Sequence, residues 1–193
     1  MPTIDAKGWI CPKPIIETKK LLDIMPEGKV ITIVDNRIAV DNLTNFAQSN
    51  GFEVEVVNEG GDIFRVTTTK TIGSGKTGGV DNDNLLICIT SNLFGVGSEE
   101  LGSNLMKAYI YALTETTKKP KTLLFINSGV FLTTEGSEVL ESLEVLEAHG
   151  VEICSCGACL NFYDLTDQLK IGTISNMYAL ATKMNEASNT IKI

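Results

Sequence analysis

Apolar and polar residues change their period along the chain, and the change divides it in two. Up to about residue 70, short alternating runs flank two stretches of helical spacing. Thr3-Ile4-Asp5 reads as a short strand. From Pro12 to about Met25, the residues Ile15, Leu22 and Met25 fall on one side of a predicted helix. Val30 to Val34 is β-branched and reads as a strand. From about Ile38 to Ser49, Val40, Leu43, Phe46 and Ala47 share a helical face, and Gly51 supplies the stop. Phe52–Val57 and Ile63–Thr69 read as strands joined through Asn58-Glu59-Gly60-Gly61-Asp62. The order βαβαββ predicts a two-layer α/β sandwich, with two helices on one face of a four-stranded sheet.

Residues 71–84 interrupt this pattern with four glycines and few apolar side chains, the composition of a linker. Beyond it the alternation of strand and helix is stricter. Leu85–Thr90 is a continuous apolar run, as a buried strand requires. Ser98, followed by Glu99 and Glu100, marks a helix start, and Leu101, Leu105, Ala108 and Ala112 form the expected apolar stripe. Thr122–Asn127 is the next strand. Ser137 to His149 is predicted helical, with Val139, Leu143 and Leu146 inward and Gly150 at its end. Val151–Cys154 is a third strand, and Ser175 to about Ala187 a helix with Met177, Leu180, Ala181 and Met184 on one face. Thr190–Ile193 reads as a closing strand. This predicts a doubly wound, mostly parallel α/β domain, whose ligands sit beyond the carboxyl ends of the strands. The expected division is thus a domain over 1–70, a linker over 71–84 and a domain over 85–193.

Composition adds exclusions. With 16 basic and 24 acidic residues in 193, the net charge is −8, which disfavours a phosphate-tracking nucleic-acid binder. Residues 1–70 carry net −2 and residues 71–193 net −6, so the acidity lies mainly in the second part. Apolar runs such as Leu85 to Ile89 are far short of a membrane span, and no membrane partner is expected. The opening residues hold no basic stretch or apolar run of signal-peptide type, so the expected location is cytoplasmic. Five cysteines exclude a fully paired intramolecular disulfide framework, and in a reducing compartment closely spaced thiols point to redox, metal or transfer chemistry. Gly75-Lys76-Thr77 lacks the earlier glycine of a phosphate-binding loop, because that position is Lys70. Gly95 and Gly97 are followed by Ser98-Glu99-Glu100, which sets acid where a phosphate would lie. No cofactor is called for.

The thiols carry the candidate chemistry. Cys11 lies in Trp9-Ile10-Cys11-Pro12-Lys13-Pro14, a CPxP motif. Prolines at the first and third helical positions initiate a helix and put Cys11 at or near its N-cap. There the helix dipole and the Lys13 charge favour a thiolate. Lys19 and Lys20 further along the helix would extend a local basic patch. Trp9 is read as packing. The second cluster is Cys154-Ser155-Cys156-Gly157-Ala158-Cys159, after the third strand. Cys156 and Cys159 form C-x-x-C, and three readings stay open. The pair is a dithiol for sulfur or redox exchange, half of a zinc site that lacks its other ligands in this chain, or small residues filling a tight turn. Sulfur or redox chemistry leads, and no metal is assigned. Gly157 allows close approach, and Cys159, furthest into the loop, is the expected reactive member. Cys154 in its strand and Cys88 within Leu86-Ile87-Cys88-Ile89 are expected core residues. His149 is expected to be a solvated residue at a helix end. Asn127-Ser128-Gly129 and the segment Asn92–Gly97, each following a strand, should approach the Cys159 loop.

Residues 1–70 resemble the TusA-like (SirA-like) sulfur-carrier domain through Cys11-Pro12-Lys13-Pro14 and, in part, through Asp35, Asn36, Ala39 and Asp41. The second part resembles DsrE-like domains through Phe125-Ile126-Asn127-Ser128-Gly129-Val130 and the cysteine segment. The fused arrangement resembles the YedF-type selenium-metabolism proteins. The resemblance implies a sulfurtransferase-like carrier that holds sulfane sulfur, or its selenium equivalent, as a persulfide. Cys11 would be its carrier thiol, and persulfide donor and acceptor proteins or small sulfur or selenium species its partners. DsrE-like domains commonly associate, so a homo-oligomer through the second domain stays open. The readings without that chemistry are a thiol–disulfide oxidoreductase using Cys156 and Cys159, and a non-catalytic partner-binding module.

Overall fold

The structure, a computed structural model, describes residues 1–10, 12–72 and 84–193. Cys11, Gly75-Lys76-Thr77 and most of the predicted linker lie outside the described residues. The chain forms two units, Met1–Gly78 and Gly79–Ile193.

The first unit runs β1 (Thr3–Asp5), α1 (Lys13–Asp23), β2 (Gly28–Val34), α2 (Arg37–Ser49), β3 (Glu53–Gly60) and β4 (Ile63–Lys70). This is the predicted order. The sheet order is β1-β2-β4-β3; β1 is parallel to β2, and the other neighbours are antiparallel. Strand alternation sends Val30, Thr32 and Val34 of β2 and Phe64, Val66 and Thr68 of β4 into the interior. Ala39, Val40, Leu43 and Ala47 of α2 meet them there.

Helix α1 turns a different face inward from the one its large apolar residues predict. The buried residues are Pro14, Ile16, Thr18 and Leu22, while Ile15 and Met25 are half-buried. A hydrogen bond decides this. Thr18 donates its hydroxyl to the Pro14 carbonyl at 2.8 Å and lies 2.7 Å from the Thr32 hydroxyl, so a polar side chain is satisfied in the interior. At the other end of α1, Lys70 Nζ donates to the Leu22 and Met25 carbonyls, both at 2.9 Å, tying the end of the helix to the last residue of β4.

Asn36 caps α2, its Oδ1 accepting the Ala39 N–H at 2.8 Å. Replacing Asn36 by alanine leaves that amide unpaired. It is expected to cost about 1 kcal/mol of first-unit stability, read as a lower urea midpoint.

The second unit holds β5 (Leu85–Ile89), α3 (Glu99–Glu115), β6 (Thr122–Phe125), a 3-10 helix (Asn127–Thr133), α4 (Leu140–Ala148), β7 (Glu152–Cys156), α5 (Gly157–Phe162), β8 (Thr173–Ser175), α6 (Met177–Glu186) and β9 (Asn189–Lys192). All five strands are parallel, in the order β8-β7-β6-β5-β9. The winding runs outward from β5 through β8 and returns to place β9 on the other side of β5. One face of the sheet packs Ile87, Ile89, Leu123, Phe125 and Ile153 against α3, α4, α5 and the 3-10 helix. The other packs Leu86, Cys88, Leu124, Cys154 and Cys156 against Leu180 of α6.

Three sequence expectations need correction here. The buried line of α3 is Gly102, Met106, Ile110 and Leu113, whereas Leu101 is 58% exposed and Leu105 is also exposed. This helix carries apolar residues on more than one face. The face lacking side-chain bulk at Gly102 docks, because an ideal Cβ there would sit 3.1 Å from Leu93 Cβ. On α6 only Leu180 is fully buried; Met177 and Ala181 are exposed. The strand predicted to end at Cys154 continues to Cys156, and α5 and β8 were not foreseen. Among the described residues, no helix is long and apolar enough to cross a membrane.

Candidate functional site

The CPxP surroundings are built by α1 and the loop before it. Helix α1 starts at Lys13, with Pro12 in the cap position and Pro14 as the second helical residue. The prolines therefore sit one place earlier than the first and third helical positions expected. Neither the cap nor the first turn offers an acid, and Pro12 makes no side-chain cap bond. Lys13 Nζ lies 4.5 Å from the centre of the Trp9 ring, a cation–π contact that fixes its charge beside the motif. The wider basic patch is not there: Lys19 pairs with Asp23 and Lys20 with Glu17, so both charges are compensated along the helix. The partial Asp-Asn match has structural work. Asp35 Oδ2 accepts the Gly8 N–H at 2.8 Å, tying the loop that leads into the motif to the end of β2. Asn36 caps α2, and Asp41 pairs with Arg37 at 3.5 Å.

Between α1 and α2 lies a mostly apolar cavity of about 270 Å³, lined by Trp9, Ile10, Pro14, Ile15, Ile38 and Ala39, with Asn36 and Asn42. Its walls come from both sides of Cys11 in the chain. Ile10 is 83% exposed and Ile38 72%, an uncommon degree of exposure for large apolar side chains flanking one cavity.

In the second unit, the cysteines divide by strand alternation. Cys88, Cys154 and Cys156 all point into the core beneath α6, with Cys156 only 1% exposed. Ser155 points to the other face, where its hydroxyl lies 2.9 Å from that of Thr133. That buried pair joins β7 to the end of the 3-10 helix. Cys156 is thus a strand residue, not a loop residue. Cys159 lies in α5, one turn on, and is the partly exposed member of the C-x-x-C pair. Gly157 begins α5 and supplies the close approach: an ideal Cβ would fall 2.9 Å from Ile174 Cγ2 of β8.

The expected approach of Asn127 is present. Its backbone N–H donates to Cys159 Sγ at 3.1 Å. Asn127 holds a left-handed φ of 54°, and its Oδ1 accepts the Tyr163 hydroxyl at 2.9 Å. Tyr163 packs its ring against Phe131 at 4.9 Å and Phe162 at 5.1 Å between centroids. From the Asn92–Gly97 segment, Phe94 packs on the same core cluster as Cys159. His149 is exposed at the end of α4, its Nδ1 2.7 Å from the Val145 carbonyl.

Burial pushes the Cys159 thiol above its ordinary value, and a hydrogen bond with Cys156 adds to the rise; the Asn127 N–H acts in the opposite sense. Burial likewise raises Cys88 and Cys154. A raised thiol is protonated at neutral pH, so Cys159 should alkylate more slowly at pH 7 than a free thiol. Its rate should climb through a midpoint higher than that of glutathione treated alike. Iodoacetamide labelling across pH, read by peptide mass, checks this.

Two family models match the chain. Sulfurtransferase TusA covers residues 2–70, and the DsrE/DsrF-like family covers residues 83–193. The chain belongs to the DsrE/DsrF-like family and carries a TusA domain before it. Over the TusA domain it is 37% identical across 71 residues to a candidate sulfur carrier protein of Methanocaldococcus jannaschii, covering 36% of this chain and 95% of that one. A candidate sulfur carrier of Bacillus subtilis is 32% identical over 63 residues, covering 32% of this chain and 84% of that one. Among solved structures, a SirA-like protein of Desulfitobacterium hafniense shares 37% identity over 36% of this chain and 96% of its own, with a TM-score of 0.34. The ychN protein of E. coli aligns to 57% of this chain and 99% of its own at 17% identity, with a TM-score of 0.45. The fused pair fits the YedF-type architecture.

In the DsrE/DsrF-like domain, sequence reasoning missed Tyr163 altogether. It stands four residues after Cys159, one helical turn, and a helix predicted over 157–162 would have put the two on one side. Among the described residues, no cluster of three or more His, Cys, Asp or Glu could hold a metal ion.

Proposed function

We propose that this chain carries sulfane sulfur as a cysteine persulfide and hands it to a partner thiol, with Cys11 as the carrier. The observation behind this is the CPxP motif within a TusA-matched domain, with an open apolar cavity formed by its chain neighbours. The reaction is a displacement. The Cys11 thiolate attacks the outer sulfur of a donor R–S–SH; a new S–S bond forms, the donor's S–S bond breaks, and R–S⁻ leaves. No net oxidation occurs, so no cofactor is required. Passing the sulfur on repeats the step, with Cys11 now the leaving thiolate. Selenium at the same oxidation level would travel as Cys–S–SeH by the same displacement. The cavity suits donor and acceptor proteins that dock an apolar side chain beside the motif. Such a relay fits a cytoplasmic protein with a sulfurtransferase-like role.

Cys159, with Cys156 beside it, is proposed as a second sulfur station, because it is the partly exposed thiol of its domain. The oxidoreductase reading has less support, because a dithiol exchanger needs both thiols in reach of a partner disulfide and Cys156 is buried.

Incubation of the full chain with a persulfide donor, followed by intact and peptide-level mass measurement, tests the proposal. One added sulfur on Cys11 is the expected result. A chain that stays unloaded, under conditions that load an established carrier, overturns it.

A further inference from the structure

The surroundings of Cys159 contain an arrangement that packing alone does not call for. Asn127 is one of two described residues other than glycine with a left-handed φ, a conformation that side-chain-bearing residues adopt at a cost. At this same residue the backbone N–H donates to Cys159 Sγ at 3.1 Å. The residue is exposed, so its backbone amide could equally have bonded to water. The side chain is held as well, through the Tyr163 hydroxyl on Oδ1, and Tyr163 is itself fixed by ring contacts to Phe131 and Phe162. Asn127 leads the 3-10 helix whose far end is tied to β7 through the Thr133 and Ser155 hydroxyls. A strained backbone amide, anchored on both sides, thus points at one sulfur atom.

We propose that Asn127 and Tyr163 are positioning residues for Cys159, the Asn127 N–H serving as a fixed donor to Sγ and the Tyr163 hydroxyl as its latch. The inference rests on the reading of Cys159 as a sulfur-bearing thiol. When an acceptor thiolate R′–S⁻ attacks the outer sulfur of Cys159–S–SH, the bond between Sγ and that sulfur breaks. The electron pair stays on Sγ, and the products are R′–S–SH and the Cys159 thiolate. Negative charge therefore develops on the atom the Asn127 N–H faces, and a donor already in place stabilises it without reorganising. Cys156 from β7 is the titratable neighbour acting on the same sulfur, and Tyr163 acts only through Asn127.

The test uses the full chain and two variants. Tyr163→Phe keeps the ring contacts and removes the latch hydroxyl. Asn127→Gly keeps the backbone N–H and tolerates the positive φ but loses the side-chain anchor. In each, the pH midpoint for iodoacetamide labelling of Cys159 is expected to rise by about half to one unit, which slows labelling below the midpoint by roughly three- to tenfold. Labelling of Cys11 should not change. An unmoved midpoint in both variants, with the second unit's thermal transition intact, overturns the assignment. Loss of that transition in both also overturns it, since the pair would then be structural. Sulfur loading of Cys159 in the unaltered chain is measured separately. Failure to load sinks the station reading and leaves a midpoint shift standing, whereas loading with an unmoved midpoint sinks the positioning role alone.

Discussion

Cys11→Ser is expected to remove persulfide loading from the first domain completely. A hydroxyl is not ionised at neutral pH and cannot displace sulfur from a donor, so the loss should be total rather than partial. The substitution is nearly isosteric, so stability should stay within about 0.5 kcal/mol of the parent. Position 11 directly precedes the cap of α1, an eleven-residue helix whose positive end favours a thiolate, and Lys13 stands on the Trp9 ring two residues on. The check is mass measurement after donor treatment, resolved by peptide. Any sulfur that remains should map to Cys159. Undiminished total loading in Cys11→Ser would transfer the carrier role to the second domain. Cys159→Ser, by contrast, should leave the Cys11 adduct intact.

Gly129→Ala should produce the largest structural loss. An ideal Cβ at this position would lie 2.4 Å from the Ile89 carbonyl oxygen and 3.1 Å from its carbon. Both are backbone atoms at the end of β5, and that oxygen already accepts the Ile126 N–H at 2.9 Å. Neither side can yield without parting β5 from β6 at the edge where Asn127 meets Cys159. Overpacking of this kind typically costs about 1–3 kcal/mol, and backbone on both sides puts Gly129 at the upper end. The expected result is a clear fall in the urea midpoint of the second unit, with the first unit's transition unmoved. Ser128→Ala, one residue earlier and without a close contact of this kind, serves as the control. An unchanged midpoint in Gly129→Ala would show that β5 and the 3-10 helix can separate freely, and the rigid placement of Asn127 would fall with it.

Both expectations began as patterns in the chain, but they were legible to different degrees. CPxP combines a nucleophile with the residues that start a helix, so the motif could be read locally. Asn127-Ser128-Gly129 could be read only as a segment that ends near the cysteines. That Gly129 must lack a side chain follows from Ile89, forty residues earlier in the chain and brought alongside by the parallel pairing of β5 with β6. The same limit explains the misread helix faces. The periodicity of α3 admits more than one apolar stripe, and the loop at Leu93 selects the one through Gly102. The line through Thr18 on α1 looked polar because its bonding partners, Pro14 and Thr32, could not be seen together in one dimension. Lys19 and Lys20 looked like a patch because their neighbours Asp23 and Glu17 were not counted as partners, although the spacing permits it.

What the chain determined by itself is what short-range physics controls. Hydrophobic period set the order βαβαββ and the alternation that follows it. Caps such as Asn36 and Ser98 bond within three residues, so they are written locally. A place in an apolar strand run was enough to predict Cys88 and Cys154 as buried. Tertiary structure alone decided which face of each helix docks, why Gly129 can carry no side chain, and which amide faces Cys159. These depend on atoms far apart in the chain, brought within a hydrogen bond or a van der Waals contact by the sheet order. Asn127 and Cys159 are separated by 32 residues and one parallel crossover, and only the pairing of β6 with β7 puts an N–H against that sulfur.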